Sequence, residues 1–315
     1  MAATYDGILN INKPRGWTSH DIVARVRRLL GVRPHQHRTC TGTSGSGTTR
    51  VGHAGTLDPL ATGVLLVCVG QATRVAEYLM AGEKSYRAVA KLGVATDTYD
   101  IEGQVIATAP VPPLERQDLE RALAAFAGEI LQTPPPYSAI KLDGVPAYRR
   151  ARRGETVQLA PRSAIIHRVE LLEWQSPHLT IEVVCDAGTY IRSLTHDLGQ
   201  ALACGAVLTD LTRLRSGSFT LEAAITLDEL ADAVQTGLVA QHLLPLVSAL
   251  TALVPLPVEG QFRDRLVNGL PIPGPAAPED QLGYAVEPDG AVRAILAYDS
   301  LAGLWRPKKV FPLNE

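Results

Sequence analysis

The apolar positions of this chain fall into short runs of two different periods. Gly7 to Lys13 (GILNINK) reads as a short strand, and Pro14-Arg15-Gly16 then turns the chain. Thr18 and Asp21 stand at capping-box spacing ahead of Ile22, Val26, Leu29 and Leu30, which recur at helical intervals. Arg25, Arg27 and Arg28 share the polar side of that predicted helix, where an arginine-rich face is ordinarily just solvated. Val64 to Val69 is a continuous apolar run and reads as a buried strand; Ser85 to Leu92 alternates and reads as another. Helices are predicted over Leu114 to Ile130, with Leu119, Leu123, Phe126 and Ile130 on one side, and over Arg192 to Ala203, with Leu194, Leu198 and Leu202 inward. Between them lie two strands, Ala164 to Trp174 and Leu179 to Cys185. The second sets Leu179, Ile181, Val183 and Cys185 against Thr180, Glu182 and Val184. Strands and helices alternate without a regular βαβ beat or a fixed-period repeat. The expected class is α+β, a mixed, largely antiparallel sheet flanked by helices.

Around Leu250 to Pro257 the chain turns rich in Pro and Leu, which places a boundary between a domain of residues 1–250 and one of residues 251–315. The second carries β-like runs, Val292 to Tyr298 and Leu304 to Phe311, and should be a small β-rich module. Val32 to Arg50 (VRPHQHRTCTGTSGSGTTR) holds almost no large apolar residue and reads as a flexible insert. His35, His37 and Cys40 within it lack a fourth ligand and a scaffold, so no metal site is expected there.

Composition narrows the classes. The chain is 46% hydrophobic over 315 residues, enough for a sizeable core. Its 30 basic and 32 acidic side chains nearly cancel, so any nucleic-acid surface must come from local clustering rather than bulk charge. Cys40, Cys68, Cys185 and Cys204 form no CxxC pair and are expected to be reduced, mostly buried thiols of a cytosolic protein. Met1 to Gly7 does not resemble a signal peptide and no apolar run has the length of a membrane span; a soluble, cytoplasmic chain is expected.

Four segments carry candidate chemistry. In Gly52-His-Ala-Gly-Thr-Leu-Asp-Pro-Leu-Ala-Thr-Gly-Val64, glycines and an Asp-Pro step precede a buried strand, a tight loop that holds the Asp58 carboxylate at a sheet edge or merely caps a turn. In Cys185-Asp-Ala-Gly-Thr-Tyr-Ile-Arg-Ser-Leu194, Arg192 enters a helix at its positive end, an unfavourable place unless a carboxylate meets it. Lys84-Ser-Tyr-Arg-Ala88 opens a strand with Tyr86, whose ring packs in the sheet or faces a base. Gln132-Thr-Pro-Pro-Pro-Tyr-Ser-Ala-Ile-Lys141 is stiffened by prolines and leads to Tyr148-Arg-Arg-Ala-Arg-Arg-Gly154. That is the densest basic cluster in the chain, either a phosphate contact or a solvated face.

Taken together with the opening NINKPRGWTSHD, the segments GHAGTLDPLATG, KSYRA, QTPPPYSAIK and GTYIRSL resemble, in the same order, the TruB family of tRNA pseudouridine synthases over most of Gly7 to Phe219. The resemblance implies a pseudouridine synthase fold and a stand-alone enzyme, without guide RNA, metal or cofactor, that isomerises uridine 55 in the T-arm of tRNA after flipping the base into a pocket. By motif match Asp58 is the nucleophilic carboxylate, attacking the uracil ring or the sugar or assisting elimination to a glycal. Arg192 pairs with it, and Tyr86 stacks on the uracil. Tyr190, Leu211 (within Leu208-Thr-Asp-Leu-Thr-Arg213) and Asp97 belong beside the pocket, His53 fills the space of the flipped nucleotide, and Lys13 and Pro14 support the catalytic loop. The segment from about 132 to 154 is expected to close on the T-loop, Lys141, Arg149 and Arg152 meeting phosphates. Phe262-Arg-Asp-Arg-Leu-Val-Asn-Gly-Leu270 is similar to the PUA-like RNA-binding module of bacterial members. A monomer is expected. Two other readings compete: a non-catalytic tRNA-binding or folding factor, which has no need of Asp58 with Arg192, and a hydrolase built on Asp58, Asp97 and Asp100, although Thr96-Asp-Thr-Tyr-Asp100 reads more simply as a turn with Asx bonds.

Family members join the first helix to the catalytic loop by a much shorter link, so the 32–50 insert reads as a tolerated surface addition. Deleting Pro34 to Thr48 should leave turnover largely intact; a loss as deep as that of Asp58→Ala would show the insert to be part of the site.

Overall fold

A computed structural model describes residues 5–32, 49–142 and 144–311. Most of the 32–50 insert, including His35, His37 and Cys40, lies outside the described residues. In chain order the strands are β1 (Gly7–Lys13), β2 (Val51–Ala54), β3 (Thr62–Val69), β4 (Lys84–Leu92), β5 (Val94–Thr96), β6 (Val105–Thr108), β7 (Gly128–Gln132), β8 (Lys141–Leu142), β9 (Val145–Pro146), β10 (Arg162–Gln175), β11 (His178–Cys185), β12 (Ala206–Ser216), β13 (Phe219–Thr220), β14 (Val254–Pro257), β15 (Leu282–Val286), β16 (Val292–Asp299) and β17 (Leu304–Val310). The helices are α1 (Ser19–Leu29), α2 (Ala76–Ala81), α3 (Arg116–Ala124), α4 (Ala147–Ala151), α5 (Ile191–Ala201), α6 (Leu227–Thr236) and α7 (Gln261–Val267).

Among the described residues the main sheet runs β1-β3-β12-β4-β11-β10-β7, with β2 also on β3 and β13 on β12. Its pairings are antiparallel except β3 with β12, joined at Thr212↔Thr62 and Arg213↔Gly63. The predicted α+β class with a largely antiparallel sheet is the one observed. Tyr86, Ala88, Ala90 and Leu92 of β4 turn one face inward against α5 and α3, where Leu194, Leu198, Leu119 and Leu123 complete the core. α1 begins as its sequence requires: the Thr18 hydroxyl accepts from Asp21 N, and the Asp21 carboxylate accepts from Thr18 N.

Two elements depart from the periodicity reading. The predicted helix over Leu114 to Ile130 ends at Ala124, and Gly128 to Gln132 form strand β7 against β10. Gly128 adopts φ +95°, a left-handed conformation that stops a helix, while Phe126 and Ile130 still reach the core from their new setting. The apolar positions alone are compatible with either element. β12 had no predicted counterpart. It lies inside the sheet between β3 and β4 and carries Arg213, 1% exposed, within the protein interior. A strand that buries a cation does not show a clean alternation.

β14 to β17 form a separate four-stranded sheet with its own core around Trp305, Leu266 and Leu296. It is fastened to the back of the main sheet. Tyr284, Val292, Ile295 and Phe311 join Ile8, Val64 and Leu66 in one apolar cluster. Lys309 Nζ donates to Arg74 O and pairs with Glu77, both at 2.7 Å, and Arg74 Nη1 donates to Val310 O at 2.6 Å. Cys68, Cys185 and Cys204 are buried free thiols. No helix of the described residues is long and apolar enough to cross a membrane.

At the crossing of β3 and β12, Gly63 adopts φ +97°, and a Cβ there would lie 2.3 Å from Arg213 O. Gly63→Ala should therefore cost about 3 kcal/mol or more, read as a lower urea midpoint with unchanged slope. Gly237→Ala, at a left-handed helix end (φ +74°) with open space around it, should cost only about 1–2 kcal/mol. Equal losses would mean that backbone conformation, not the clash, matters at Gly63.

Candidate active site

The carboxylate loop between β2 and β3 is held by polar groups buried beneath it. Ser19, the first residue of α1, donates its hydroxyl to Leu57 O at 3.1 Å and accepts from Leu57 N at 2.8 Å. Lys13, fully buried at the end of β1, donates Nζ to Pro14 O (2.9 Å), Trp17 O (2.6 Å) and Pro59 O (3.4 Å). Gly16 N donates to the same Pro59 carbonyl at 2.8 Å. Burial lowers the Lys13 ammonium to about 8, with the Asp58 charge pulling the other way. From the other side Arg213 donates to Val64 O (2.7 Å) and Gly55 O (3.0 Å). Gly55 beside that guanidinium takes φ +88°, a left-handed conformation that favours glycine. Of the two residues expected beneath the loop, Lys13 reaches Pro59 O, and Pro14 O accepts from Lys13. Ser19 and Arg213 were not singled out in the sequence; a charged residue in an otherwise strand-like run was the available signal for Arg213.

Arg192 meets this loop from α5. The helix start is set by the buried Gln132 amide, which accepts from Tyr190 N (2.7 Å) and donates to Tyr190 O (3.0 Å). The Arg192 side chain is only 6% exposed, and its polar groups are occupied in every direction. Nε lies 2.9 Å from Asp58 Oδ2, and Nη1 lies 3.5 Å from Asp100 Oδ2. Nη1 also donates to Thr98 O (3.1 Å) and Nη2 to Tyr137 O (2.9 Å). A cation at a helix N-terminus opposes the helix dipole; two carboxylates and two carbonyls answer that cost. The Asp58 side chain is 37% exposed, so the ion pair anchors it on one side and leaves the other open.

Of the two carboxylates named in Thr96 to Asp100, only Asp100 meets Arg192. Asp97 Oδ1 accepts from Gln104 N at 2.8 Å and closes the β5–β6 turn, whereas Asp100 reaches Arg192. Both residues take part in Asx-type bonds, since Asp100 Oδ1 also accepts from Glu102 N (3.1 Å) and the Thr98 hydroxyl (2.7 Å). Residue type and spacing did not tell them apart. Burial raises the Asp100 carboxyl, offset by the Thr98 hydroxyl and Arg192. Between Thr98 and Asp100, Tyr99 takes φ +66° and lays its ring on His196 of α5, centroids 3.9 Å apart and planes 11° from parallel. His196 is one helical turn beyond Arg192, so α5 grips three consecutive residues of this turn.

The walls follow from sheet register. Tyr86 pairs with Arg213, and Ala88 with Leu211, which puts Tyr86 and Leu211 on one face. Both are mostly buried, and burial raises the Tyr86 phenol, keeping it protonated at neutral pH. Burial likewise raises Tyr190. His53 on β2 meets His20 edge-on at 5.2 Å. Burial, then the charges of His20 and Arg213, lower its imidazole, and its buried Nδ1 finds no partner among the described residues. Lys141, Arg149 and Arg152 stand apart from this cluster, exposed on β8 and on and beside α4, the two arginines 6.0 and 5.7 Å from the Tyr148 ring. Their segment is rooted at the site through Tyr137 O on Arg192 and Thr133 O, which accepts from Ser193 at 2.7 Å. No trio of His, Cys, Asp or Glu among the described residues could hold a metal ion.

Known proteins share this arrangement of elements. Residues 44–191 match the N-terminal domain of the TruB family of pseudouridylate synthases, and residues 192–251 match the C-terminal domain of tRNA pseudouridylate synthase B. The tRNA pseudouridine synthase B of Symbiobacterium thermophilum is 45% identical over 85% of this chain and 84% of its own. That of a Dehalococcoides mccartyi strain is 41% identical over 97% and 96%. Among solved structures, a Cbf5-Nop10-Gar1 complex contains a chain that superposes with a TM-score of 0.73 at 26% identity, covering 96% of this chain and 84% of that one. The chain therefore belongs to the TruB family of pseudouridylate synthases.

Proposed function

We propose that this chain converts uridine 55 in the T-loop of tRNA to pseudouridine, with Asp58 as the nucleophile. The observation that carries the reading is the Asp58–Arg192 pair at 2.9 Å, buried on the arginine side and open on the carboxylate side. Its substrate follows the relatives, which are named tRNA pseudouridine synthase B at 41–45% identity. The chains found in guide-RNA assemblies, such as an H/ACA RNP bound to a substrate RNA, are more distant at 25–26% identity. That contrast supports a stand-alone enzyme.

In the reaction the N1–C1′ bond breaks, the uracil turns, C5 bonds to C1′, the C5 proton leaves to solvent, and the freed N1 takes up a proton in its place. A base paired or stacked within a folded loop must first be extruded. Tyr86 and Leu211 offer the flipped ring a flat, largely dry surface, and the protonated phenol can donate or relay a proton. Arg192 holds Asp58 aimed, because its Nε, 2.9 Å from Oδ2, fixes one side of the carboxylate and leaves the other free. His53, held neutral, suits the gap left by the flipped nucleotide rather than base catalysis. Asp58 can act at the uracil, at C1′, or in elimination to a glycal; each uses the same placement. Lys141, Arg149 and Arg152 supply phosphate contacts from the segment that closes over the RNA. Residues 251–315 add a further RNA-contacting module.

An unmodified tRNA transcript tritiated at uridine C5 tests this reading. Wild type should release tritium to solvent and Asp58→Asn should not, while both bind the RNA; binding without release by wild type would refute it. The Tyr99–His196 stack gives a second expectation. Tyr99→Ala should slow the single-turnover rate about ten-fold, roughly 1.4 kcal/mol, with KM little changed, and Tyr99→Phe should restore it. A Phe variant as slow as the Ala variant would show that the stacked ring does not hold the Asp100 turn.

A further inference from the structure

A groove of about 550 Å³ runs between α1 and the start of α6, lined among others by Trp17, Ala24, Arg25, Arg28, Leu227 and Asp228. Its side chains divide into those with a structural task and those without one. Asp21, also on the wall, caps α1 through Thr18. Asp228 stands in the first turn of α6, where the helix dipole favours an acid. Arg27 of α1 donates to Val51 O at 3.1 Å. Arg25 and Arg28, one turn apart on the same helix, have no hydrogen-bond or ion-pair partner among the described residues. The tryptophans divide likewise. Trp174 donates to Leu114 O (3.1 Å) and Trp305 to Pro275 O (3.0 Å), whereas Trp17 is 38% exposed and its indole N–H has no partner among the described residues.

The unoccupied groups are one flat aromatic face and two guanidiniums at neighbouring positions. That set complements a nucleotide: a base stacks on the indole and adjacent phosphates meet the arginines. The groove is also wired to the catalytic loop. Gly16 N and the Lys13 ammonium converge on Pro59 O, the residue after Asp58, and Trp17 O accepts from that same ammonium. One wall of the groove is thereby tied directly to the residue that follows Asp58.

We propose that this groove is a second RNA subsite, which holds a nucleotide flanking the target with its base on Trp17 and its phosphates on Arg25 and Arg28. The assignment rests on the RNA-modifying function proposed above and adds a contact outside the pocket. It anchors the strand and leaves the chemistry to Asp58, so its effect belongs in binding.

Equilibrium binding and turnover are measured separately on the unmodified tRNA transcript for the wild type, Arg25→Gln/Arg28→Gln, Trp17→Leu and Trp17→Phe. The double variant should weaken affinity and raise KM by about ten-fold and lower the slope of log K against log salt by about 1.4 to 1.8, the loss of two phosphate contacts. Its single-turnover rate at saturating RNA should stay within about two-fold of wild type, as for a positioning contact. Trp17→Leu should weaken binding where Trp17→Phe, which keeps a ring, does not. Affinity and salt slope unchanged in the double variant would overturn the subsite, as would equal affinities of the Leu and Phe variants. A wild type that binds but does not turn over refutes the proposed reaction instead, and the subsite is then judged on binding alone.

Discussion

The site depends on one buried cation. Arg192 enters α5 at the end of the helix where positive charge is least welcome, and its side chain is almost fully withdrawn from water. Such a group persists only if nearly every N–H finds an acceptor. Asp58, Asp100, Thr98 O and Tyr137 O supply them from three segments distant in sequence. Removing one partner of such an arrangement typically costs about 3–5 kcal/mol, because it strands the other. The same requirement fixes the geometry of the reactive group: the guanidinium that needs Asp58 for its own neutralisation holds that carboxylate in one place and leaves its far side to solvent.

Two further buried cations extend this logic beneath the loop. Lys13 and Arg213 face main-chain carbonyls rather than carboxylates, and so they fix backbone. Lys13 ties the β1–α1 turn to Pro59, and Arg213 ties β12 to Gly55 and Val64. Glycine makes room where the chains approach most closely, Gly63 against the Arg213 main chain. The Asp58 loop is thereby determined from below by the sheet and from the side by α5. A rigid loop on a rigid sheet is what a reaction needs when one carboxylate must reach a base that is delivered and then rotated in place.

The likeness to known proteins has two depths. Relatives named for tRNA pseudouridine formation share more than two-fifths of their residues with this chain, while the superposed solved chains, from assemblies of another kind, share about a quarter. The fold is thus shared across chains that differ at most of their positions. The basic segment around α4 carries exposed arginines, and the four-stranded sheet packs at the back of the main sheet.

The sequence by itself determined the elements whose signal is local. The Thr18–Asp21 box starts α1, the alternation of β11 sets its faces, and the Gly-Asp-Pro loop and the arginine after Tyr190 were visible as short motifs. Its family was legible because five such motifs fall in one order. Where two elements satisfied the same apolar spacing, the sequence could not choose: Leu119 to Ile130 became a helix and then a strand once Gly128 turned. Nor could it show that Asp100 rather than Asp97 reaches Arg192, that Tyr99 lies on His196, or that Arg213 is buried within a central strand. Those facts depend on which distant segments meet. Chain spacing records only neighbours along the backbone, whereas a buried charge takes its partners from whatever the fold brings within hydrogen-bonding distance.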